Sequence, residues 1–202
     1  MPKSSKIENR GGAIIIILVA LLAVMKVVNS KLEEKIANAN YKHVSYSSWY
    51  NAKSIKQILK ENQRDYLESL RGTGLVAEDK LEQLDFRIHM TEDLIRKYDE
   101  EKTEILLGSD NIPRASWSQD LDGEMGQIVG LRTWEDIGLA NRKLVSQIDI
   151  GILFLQIGIL FGVLGLIIDE NRRMQEVFTA FMVGVAFIGL GVCFYGYFTI
   201  LY

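Results

Sequence analysis

Three long apolar blocks constrain this chain more than any other feature of its sequence. They occupy Gly11–Val28, Ile150–Ile168 and Phe178–Leu201. A helix needs about 20 predominantly apolar residues to cross a bilayer, so each block approaches the length of one span. Most charged residues fall instead between Ser30 and Gln147. We therefore predict an all-α membrane protein with three transmembrane helices and one large extramembrane segment.

The apolar blocks divide the chain into six predicted segments. The extramembrane segment is long enough to form a domain of its own rather than a membrane loop. The predicted segments are a leader (1–10), a first span (11–28), the extramembrane segment (29–147), a second span (148–168), a short basic loop (169–177) and a third span (178–202).

Basic residues in the leader and in the short loop predict the orientation. The leader carries Lys3, Lys6 and Arg10 before an apolar core, a combination that also occurs in cleavable signal peptides. We expect a signal anchor that stays in the protein. Arg172 and Arg173 lie in the short loop, and basic residues favour the cytoplasmic side of a membrane. The N-terminus is thus predicted to be cytoplasmic and the extramembrane segment external or periplasmic.

The extramembrane segment has the pattern of an antiparallel helical hairpin. Its first part, Ser30–Leu70, contains no proline or glycine, which favours one helix continuing from the first span. "RGTG" at Arg71–Gly74 provides a stop and a turn, and a return helix begins near Glu78. We expect a coiled-coil-like pair in which each apolar stripe packs against the other helix or a second copy. The stripes are Ala52, Ile55, Leu59 and Tyr66, then Leu81, Leu84, Ile88, Thr91, Ile95, Tyr98, Lys102 and Ile105.

An irregular excursion is predicted at 108–130, where glycine and polar residues accumulate around Pro113. Long loops of this kind are often functional. Trp117 is expected to anchor the excursion either to the hairpin or to a neighbouring subunit. Just before it lies an acidic group that we interpret as a solvated face with ion pairs along the helix. That group consists of Asp99, Glu100, Glu101 and Glu104.

Catalytic and cofactor motifs are missing from the sequence. The two histidines, His43 and His89, are isolated, and neither a P-loop nor a G-x-G-x-x-G pattern occurs. We predict a protein without enzymatic activity, with no catalytic residue, no metal site and no cofactor. The formal net charge of −3 argues against a nucleic acid partner.

Gln156 is a polar residue in the middle of the second apolar block. An amide in hydrocarbon needs a hydrogen-bond partner. One hypothesis pairs it with Gln156 of another copy, and the alternative pairs it with a carbonyl or with Thr179 of the same copy. Asp149 lies seven residues earlier and thus on the same helix face. Rings of both residues around an axis would line a pore, which makes an ion channel the second hypothesis for function.

Small residues in the last two spans predict close helix packing. Gly158 and Gly162 form a G-x-x-x-G pair, and Gly184 lies in the third span. We group these glycines with Gln156 and Asp149 as candidate oligomer or pore contacts.

Three short motifs in the chain resemble a known family. They are "WYNAKSIKQ" at Trp49–Gln57, "KYDEEKTEI" at Lys97–Ile105 and "LFLQ" at Leu153–Gln156. Together they resemble an uncharacterised family of bacterial membrane proteins, the domain of unknown function four-three-three-seven. The resemblance implies an N-terminal span, a long helical segment, two closely spaced C-terminal spans and a bacterial origin. It implies no catalytic residue.

The expected function is structural. We predict a bacterial inner-membrane scaffold or accessory subunit that contacts the lipid bilayer, forms a homo-oligomer and takes part in a larger membrane complex. The alternative is a homo-oligomeric ion channel or transport component with a pore lined by the second span. A partner-binding patch is a further hypothesis, set against a well-packed hairpin core with lysines in water. Its candidate residues are Trp49, Tyr50, Lys53, Lys56 and Trp117.

Overall fold

The protein is helical in the computed structural model, which describes residues 4–121, 124–168 and 172–201. The predicted all-α class is confirmed. Residues 1–3 of the predicted leader and 169–171 of the predicted basic loop lie outside the described residues. The four α-helices are α1 (Ser4–Gly72), α2 (Glu78–Leu107), α3 (Leu131–Ile167) and α4 (Arg172–Leu201).

Helix boundaries follow local chemistry. α1 is one continuous helix of 69 residues, as the lack of proline and glycine in Ser30–Leu70 predicted. Beyond it, Gly74 has a φ of 67°, the left-handed conformation that glycine adopts without a steric penalty. The Leu70 carbonyl in the last turn accepts hydrogen bonds from the Thr73 hydroxyl at 2.7 Å and from the Thr73 backbone nitrogen at 3.3 Å.

Three of the helices, α1, α3 and α4, contain a stretch long and apolar enough to cross a membrane. This agrees with the three blocks seen in the sequence. The chain divides into two compact units. Unit 1 comprises Met1–Ala37 and Gly138–Tyr202, and unit 2 comprises Asn38–Ile137.

The core of unit 1 joins α1, α3 and α4. Leu18 of α1 packs against Leu155 of α3 and against Met182 and Ala186 of α4, and Leu155 and Met182 are fully buried. A second cluster joins α1 to α3 through Leu32, Leu144, Ile148 and Ile152.

Glycines let α3 and α4 approach each other at backbone distance. A Cβ atom placed on Gly151 would lie 2.8 Å from the carbonyl oxygen of Gly189, and one on Gly189 would lie 2.8 Å from the carbonyl oxygen of Gly151. Real Cβ atoms do not come this close to another atom. The helix crossing therefore requires glycine at both positions.

In unit 2, α1 and α2 contact each other in opposite sequence order. Tyr46 clusters with Ile105, whereas Leu67 clusters with Leu84 and Ile88. The α2 stripe predicted from the sequence faces these contacts. Its buried members are Leu84, Ile88, Thr91 and Ile105, and its half-buried members are Leu81, Ile95, Tyr98 and Lys102.

The apolar α1 stripe predicted from the sequence is not buried by α2. Ile55, Leu59 and Tyr66 are 60%, 63% and 67% exposed, and Ala52 is also exposed. Burial of this stripe by a second copy stays a prediction.

The segment 108–130 has more local structure than the expected irregular excursion. It contains 3₁₀ turns at Ser109–Asn111 and Arg114–Ser116, followed by the antiparallel strands β1 (Asp120–Leu121) and β2 (Glu124–Met125). We call it the closed loop, because its two ends meet. A Cβ atom on Gly108 would lie 2.7 Å from the Val129 carbonyl oxygen, and one on Gly130 would lie 2.6 Å from the Gly108 nitrogen.

Candidate functional site

Gln156 lies on an exposed face of α3. Among the residues that the structure describes, none forms a hydrogen bond with its amide. The alternative partner Thr179 instead donates its hydroxyl hydrogen bond to the Gln175 carbonyl at 2.8 Å. The alternative pairing of Gln156 with Thr179 inside one copy is thus not formed, and the amide points away from the core of unit 1.

Asp149 has a partner that the sequence did not predict. The Asn29 side-chain nitrogen donates a hydrogen bond to the Asp149 carboxylate at 2.9 Å, which ties α1 to α3. Asn29 is 9% exposed, and its side-chain oxygen has no partner in the described part of the chain. A signal was available, since Asn29 is the polar residue that ends the apolar run of the first block.

Gln156 and Asp149 belong to a longer row of exposed residues on α3, which we call the α3 stripe. Successive members are separated by four and three residues in strict alternation, and all of them are exposed. A shallow surface depression lies along its first half, and Ile36 of α1 is among the residues that line it. The α3 stripe consists of Arg142, Ser146, Asp149, Leu153, Gln156, Leu160, Val163 and Ile167.

The three candidate glycines do not lie together. A Cβ atom on Gly158 would lie 3.1 Å from the Met182 carbonyl oxygen, and Gly162 faces the side chains of Met182 and Ile15. Both glycines therefore serve packing within unit 1. Gly184 is exposed, with nothing within 4 Å of a Cβ placed there.

Most of the proposed partner-binding patch contributes to contacts within unit 2. Trp49 and Tyr50 are half-buried and pack against the cluster around Tyr46. The Lys53 ammonium lies 2.5 Å from the Glu101 carboxylate. Lys56 alone among the lysines and aromatic residues of this motif is exposed.

Two lysine ammonium groups form cation–π contacts with tyrosine rings between α1 and α2. Lys53 lies 5.9 Å from the ring centroid of Tyr98, and Lys102 lies 5.7 Å from that of Tyr50. A cation over an aromatic face contributes about 0.5–1 kcal/mol at exposed sites and more where water is excluded. These contacts give the motif residues a role in holding α1 to α2.

The acidic group of α2 is not a uniformly solvated face. Asp99 and Glu100 are exposed, but Glu101 and Glu104 are 4% and 0% exposed, so the expectation was wrong for these two. Glu101 is buried with Lys53 as its counter-ion. The sequence pattern failed because it registers charge and not the partner that makes burial of a charge tolerable.

Glu104 binds the closed loop. Its carboxylate accepts hydrogen bonds from the Ser109 hydroxyl at 2.7 Å and from the backbone nitrogens of Ser118 and Gln119, both at 2.8 Å. The Ser109 hydroxyl in turn accepts a hydrogen bond from the backbone nitrogen of Ile128 at 3.0 Å. One buried carboxylate therefore joins two separate points of the loop directly, and a third, Ile128, through the Ser109 hydroxyl.

Trp117 is anchored within the closed loop. Its indole nitrogen donates a hydrogen bond to the Ser109 carbonyl at 2.9 Å. The Arg114 guanidinium lies 5.6 Å from the ring, and the ring covers Gly126, whose φ is 86°. Trp117 is half-buried, and these contacts hold it within its own chain.

In the part of the chain that the structure describes, no group of three His, Cys, Asp or Glu side chains could hold a metal ion. His89 is an exposed residue that contacts Glu92 at 3.1 Å on its own helix. The arrangement that stands out chemically is the α3 stripe, which offers hydrogen-bonding groups on an otherwise apolar surface.

Comparison with known proteins identifies a family without an assigned activity. No curated protein and no solved structure matches the chain. A family model described as a domain of unknown function, DUF4337, matches residues 7–199. The resemblance of the three short motifs is thereby confirmed. The chain belongs to the DUF4337 family, an uncharacterised domain family.

Proposed function

We propose that this chain is a non-enzymatic integral protein of a bacterial inner membrane, where it assembles with copies of itself as a scaffold or as an accessory subunit of a larger membrane complex. Membrane insertion is supported by the outer surface of α4. An aqueous surface this apolar would favour aggregation, whereas lipid accommodates it. Its exposed residues include Phe181, Phe187, Ile188, Phe194 and Phe198.

The extramembrane part is proposed to be an antiparallel hairpin of α1 and α2. Support comes from the opposite order of their contacts, with Tyr46 near Ile105 and Leu67 near Leu84. The ion pair between Arg71 and Asp85, at 3.1 Å, lies close to the turn. On the positive-inside rule, the N-terminus is cytoplasmic and the hairpin periplasmic.

The exposed amide of Gln156 carries the proposal of self-assembly. Its neighbours along the α3 stripe, Leu153 and Leu160, are 55% and 59% exposed and apolar. Lipid tails offer no hydrogen bond, so the amide gains a partner when another protein surface covers it. Such an interhelical hydrogen bond contributes about 1 kcal/mol, enough to bias an association but not to hold it alone.

The test is the native mass of the full chain in lipid nanodiscs and in mild detergent. We expect a multimer whose dissociation constant rises about fivefold in Gln156→Leu, since 1 kcal/mol corresponds to that factor. Phe187→Leu is the matched control, because it changes an exposed α4 side chain without adding or removing a polar group. A chain that stays monomeric at every protein-to-lipid ratio would refute self-assembly.

An ion channel is the second candidate, because Asp149 and Gln156 lie on the same exposed face of one apolar helix. Several copies around an axis would stack these residues as two polar rings. Purified protein in planar bilayers would then conduct ions, and Gln156→Leu would abolish the current. Silent bilayers containing a verified multimer favour the scaffold.

A further inference from the structure

We propose that an open groove between α1 and α4 binds one membrane phospholipid whose zwitterionic headgroup ends in a primary ammonium. Arg10 pairs with the lipid phosphate, Glu176 accepts hydrogen bonds from the ammonium, and one acyl chain lies against small residues of α4. This inference rests on the proposed membrane insertion and not on the proposed self-assembly.

The groove is formed on the surface of unit 1 by the first turns of α4 and the neighbouring part of α1. On α1 its wall runs from Arg10 to Ile14, and on α4 it runs from Glu176 to Gly184. Ala180 and Gly184 are exposed, so a molecule beside the protein can enter the groove from the side. In a membrane, that molecule is a lipid of the same leaflet.

The groove passes from charged residues at a membrane edge to apolar residues within the hydrocarbon. Arg10 directly precedes the first apolar block, and Glu176 lies just before the third. The path from Glu176 to Gly184 corresponds to about 12 Å of helix, close to half of the ~30 Å hydrocarbon core. Its length and polarity therefore match one phospholipid of one leaflet, with the headgroup at Arg10 and the acyl chain toward Gly184.

The charges at the mouth of the groove select the headgroup. The Arg10 guanidinium is exposed and forms no ion pair with any residue that the structure describes. A guanidinium binds phosphate well because its N–H groups reach two phosphate oxygens at once. Glu176 lies on the α4 wall. Its carboxylate would repel a headgroup of net negative charge, whereas a terminal ammonium supplies N–H donors to it.

Thr179 adds a second acceptor on the α4 wall. Its hydroxyl hydrogen is donated to the Gln175 carbonyl at 2.8 Å, so the hydroxyl oxygen can still accept a hydrogen bond. A primary ammonium carries several N–H groups and can donate to Glu176 and Thr179 together. A quaternary ammonium such as choline has no N–H group, which predicts a preference for ethanolamine over choline headgroups.

Small side chains on α4 provide room for the acyl chain. A Cβ atom on Gly184 would have nothing within 4 Å, and Ala180 lies one turn earlier. Gly191 is equally open, but Phe187 and Ile188 lie between the two glycines and are 70% and 54% exposed. These bulky side chains interrupt the small surface, so α4 lacks the continuous close contact that a second helix uses. A flexible acyl chain needs only the short stretch at Ala180 and Gly184.

Native mass spectrometry of the full chain in mild detergent measures lipid binding. The probes are phosphatidylethanolamine, phosphatidylcholine and phosphatidylglycerol with identical acyl chains. We expect a Kd for phosphatidylethanolamine about tenfold lower than for the other two lipids, the effect of one charge-assisted hydrogen bond. Arg10→Gln should raise this Kd about tenfold for the same reason. Lys26→Gln is the matched control, because Lys26 is an exposed cation near the other end of the same apolar block.

Two further variants test the headgroup and the acyl chain separately. Glu176→Gln should abolish the preference for phosphatidylethanolamine over phosphatidylglycerol, because the carboxylate that attracts the ammonium is gone. Gly184→Leu should weaken binding of all three lipids by filling the groove. Gly191→Leu is its control, since Gly191 is equally open and is not among the residues that line the groove. Circular dichroism verifies that each variant is folded.

The outcomes separate this inference from the proposed function. Equal binding of the three lipids, or binding that Arg10→Gln leaves unchanged, overturns the lipid site and leaves membrane insertion standing. If Gly184→Leu dissociates a multimer without changing lipid binding, a second copy occupies the groove and the lipid does not. Release of the unaltered chain from membranes by alkaline carbonate would refute membrane insertion, and the lipid site with it.

Discussion

Glu104, which the sequence pattern placed on a solvated face, is fully buried and holds the closed loop. A fully buried carboxylate is costly unless its oxygens accept hydrogen bonds. Here the Ser109 hydroxyl and the backbone nitrogens of Ser118 and Gln119 are its donors. These donors come from the first 3₁₀ turn and from the segment that leads into β1, so the closed loop is folded around the end of α2.

Removal of this carboxylate should open the closed loop. In Glu104→Ala the buried donors lose their acceptor, at a cost of about 1–3 kcal/mol for each donor left unsatisfied. We expect hydrogen exchange in residues 109–130 to accelerate by at least tenfold, while exchange in α3 is unchanged. Glu100→Ala is the control, because Glu100 is an exposed carboxylate on the same helix. Equal effects of the two substitutions would contradict this role of Glu104.

At the scale of elements, the crossing of α3 and α4 depends on which glycines face a neighbouring backbone. Gly189 has no room for a Cβ atom, which would lie 2.8 Å from the Gly151 carbonyl oxygen. Gly184 lies on the same helix and has nothing within 4 Å. The sequence does not distinguish the two glycines, because both interrupt the same apolar run.

The two glycines of α4 should respond differently to alanine. Gly189→Ala forces the helix backbones apart and should destabilise unit 1 by about 1–3 kcal/mol, as overpacking of a close contact does. Gly184→Ala should be neutral, or stabilising by up to about 1 kcal/mol, because alanine favours a helix. Unfolding in mixed detergent micelles, followed by circular dichroism, measures both. Equal destabilisation by the two variants would argue against the backbone contact at Gly189.

The same scale explains why α2 does not bury the apolar α1 stripe. Periodicity selects Ile55, Leu59 and Tyr66, but the half-buried face in unit 2 includes Lys53 and Gln57. Long polar side chains bury their aliphatic stems and keep their polar ends paired or hydrated. Glu101 on α2 makes burial of Lys53 favourable, and a pairing between distant residues leaves no periodic signal.

For the whole molecule, the proposed orientation predicts which ends of unit 1 face the cell exterior. Lys35 and Arg173 are both exposed. Lys35 follows the apolar part of α1, whereas Arg173 precedes the apolar part of α4, so the two residues lie at opposite ends of these apolar stretches. Cys193 is the single cysteine of the chain and is first replaced by serine. In that background, Lys35→Cys should react with a membrane-impermeant maleimide in spheroplasts. Arg173→Cys should react only after lysis. The reverse pattern would invert the orientation, and labelling of both cysteines before lysis would contradict a membrane barrier between them.

The sequence by itself determined the class of this protein. Long apolar blocks and a segment without helix breakers are local properties, because both are recognised from residues that are close together along the chain. Family membership also followed from short motifs such as "LFLQ". The sequence also predicted part of the placement of Gln156, because its spacing from Asp149 places both residues on one helix face.

Only the tertiary structure decided which side chains meet. The bond between Asn29 and Asp149 joins residues 120 positions apart, and the network of Glu104 depends on the fold of the closed loop. Sequence periodicity likewise could not tell that Gly158 packs inside unit 1 while Gly184 stays open. The physical reason is that helix formation is governed by neighbours along the chain, whereas burial of a charge, an amide or a glycine depends on partners from distant segments.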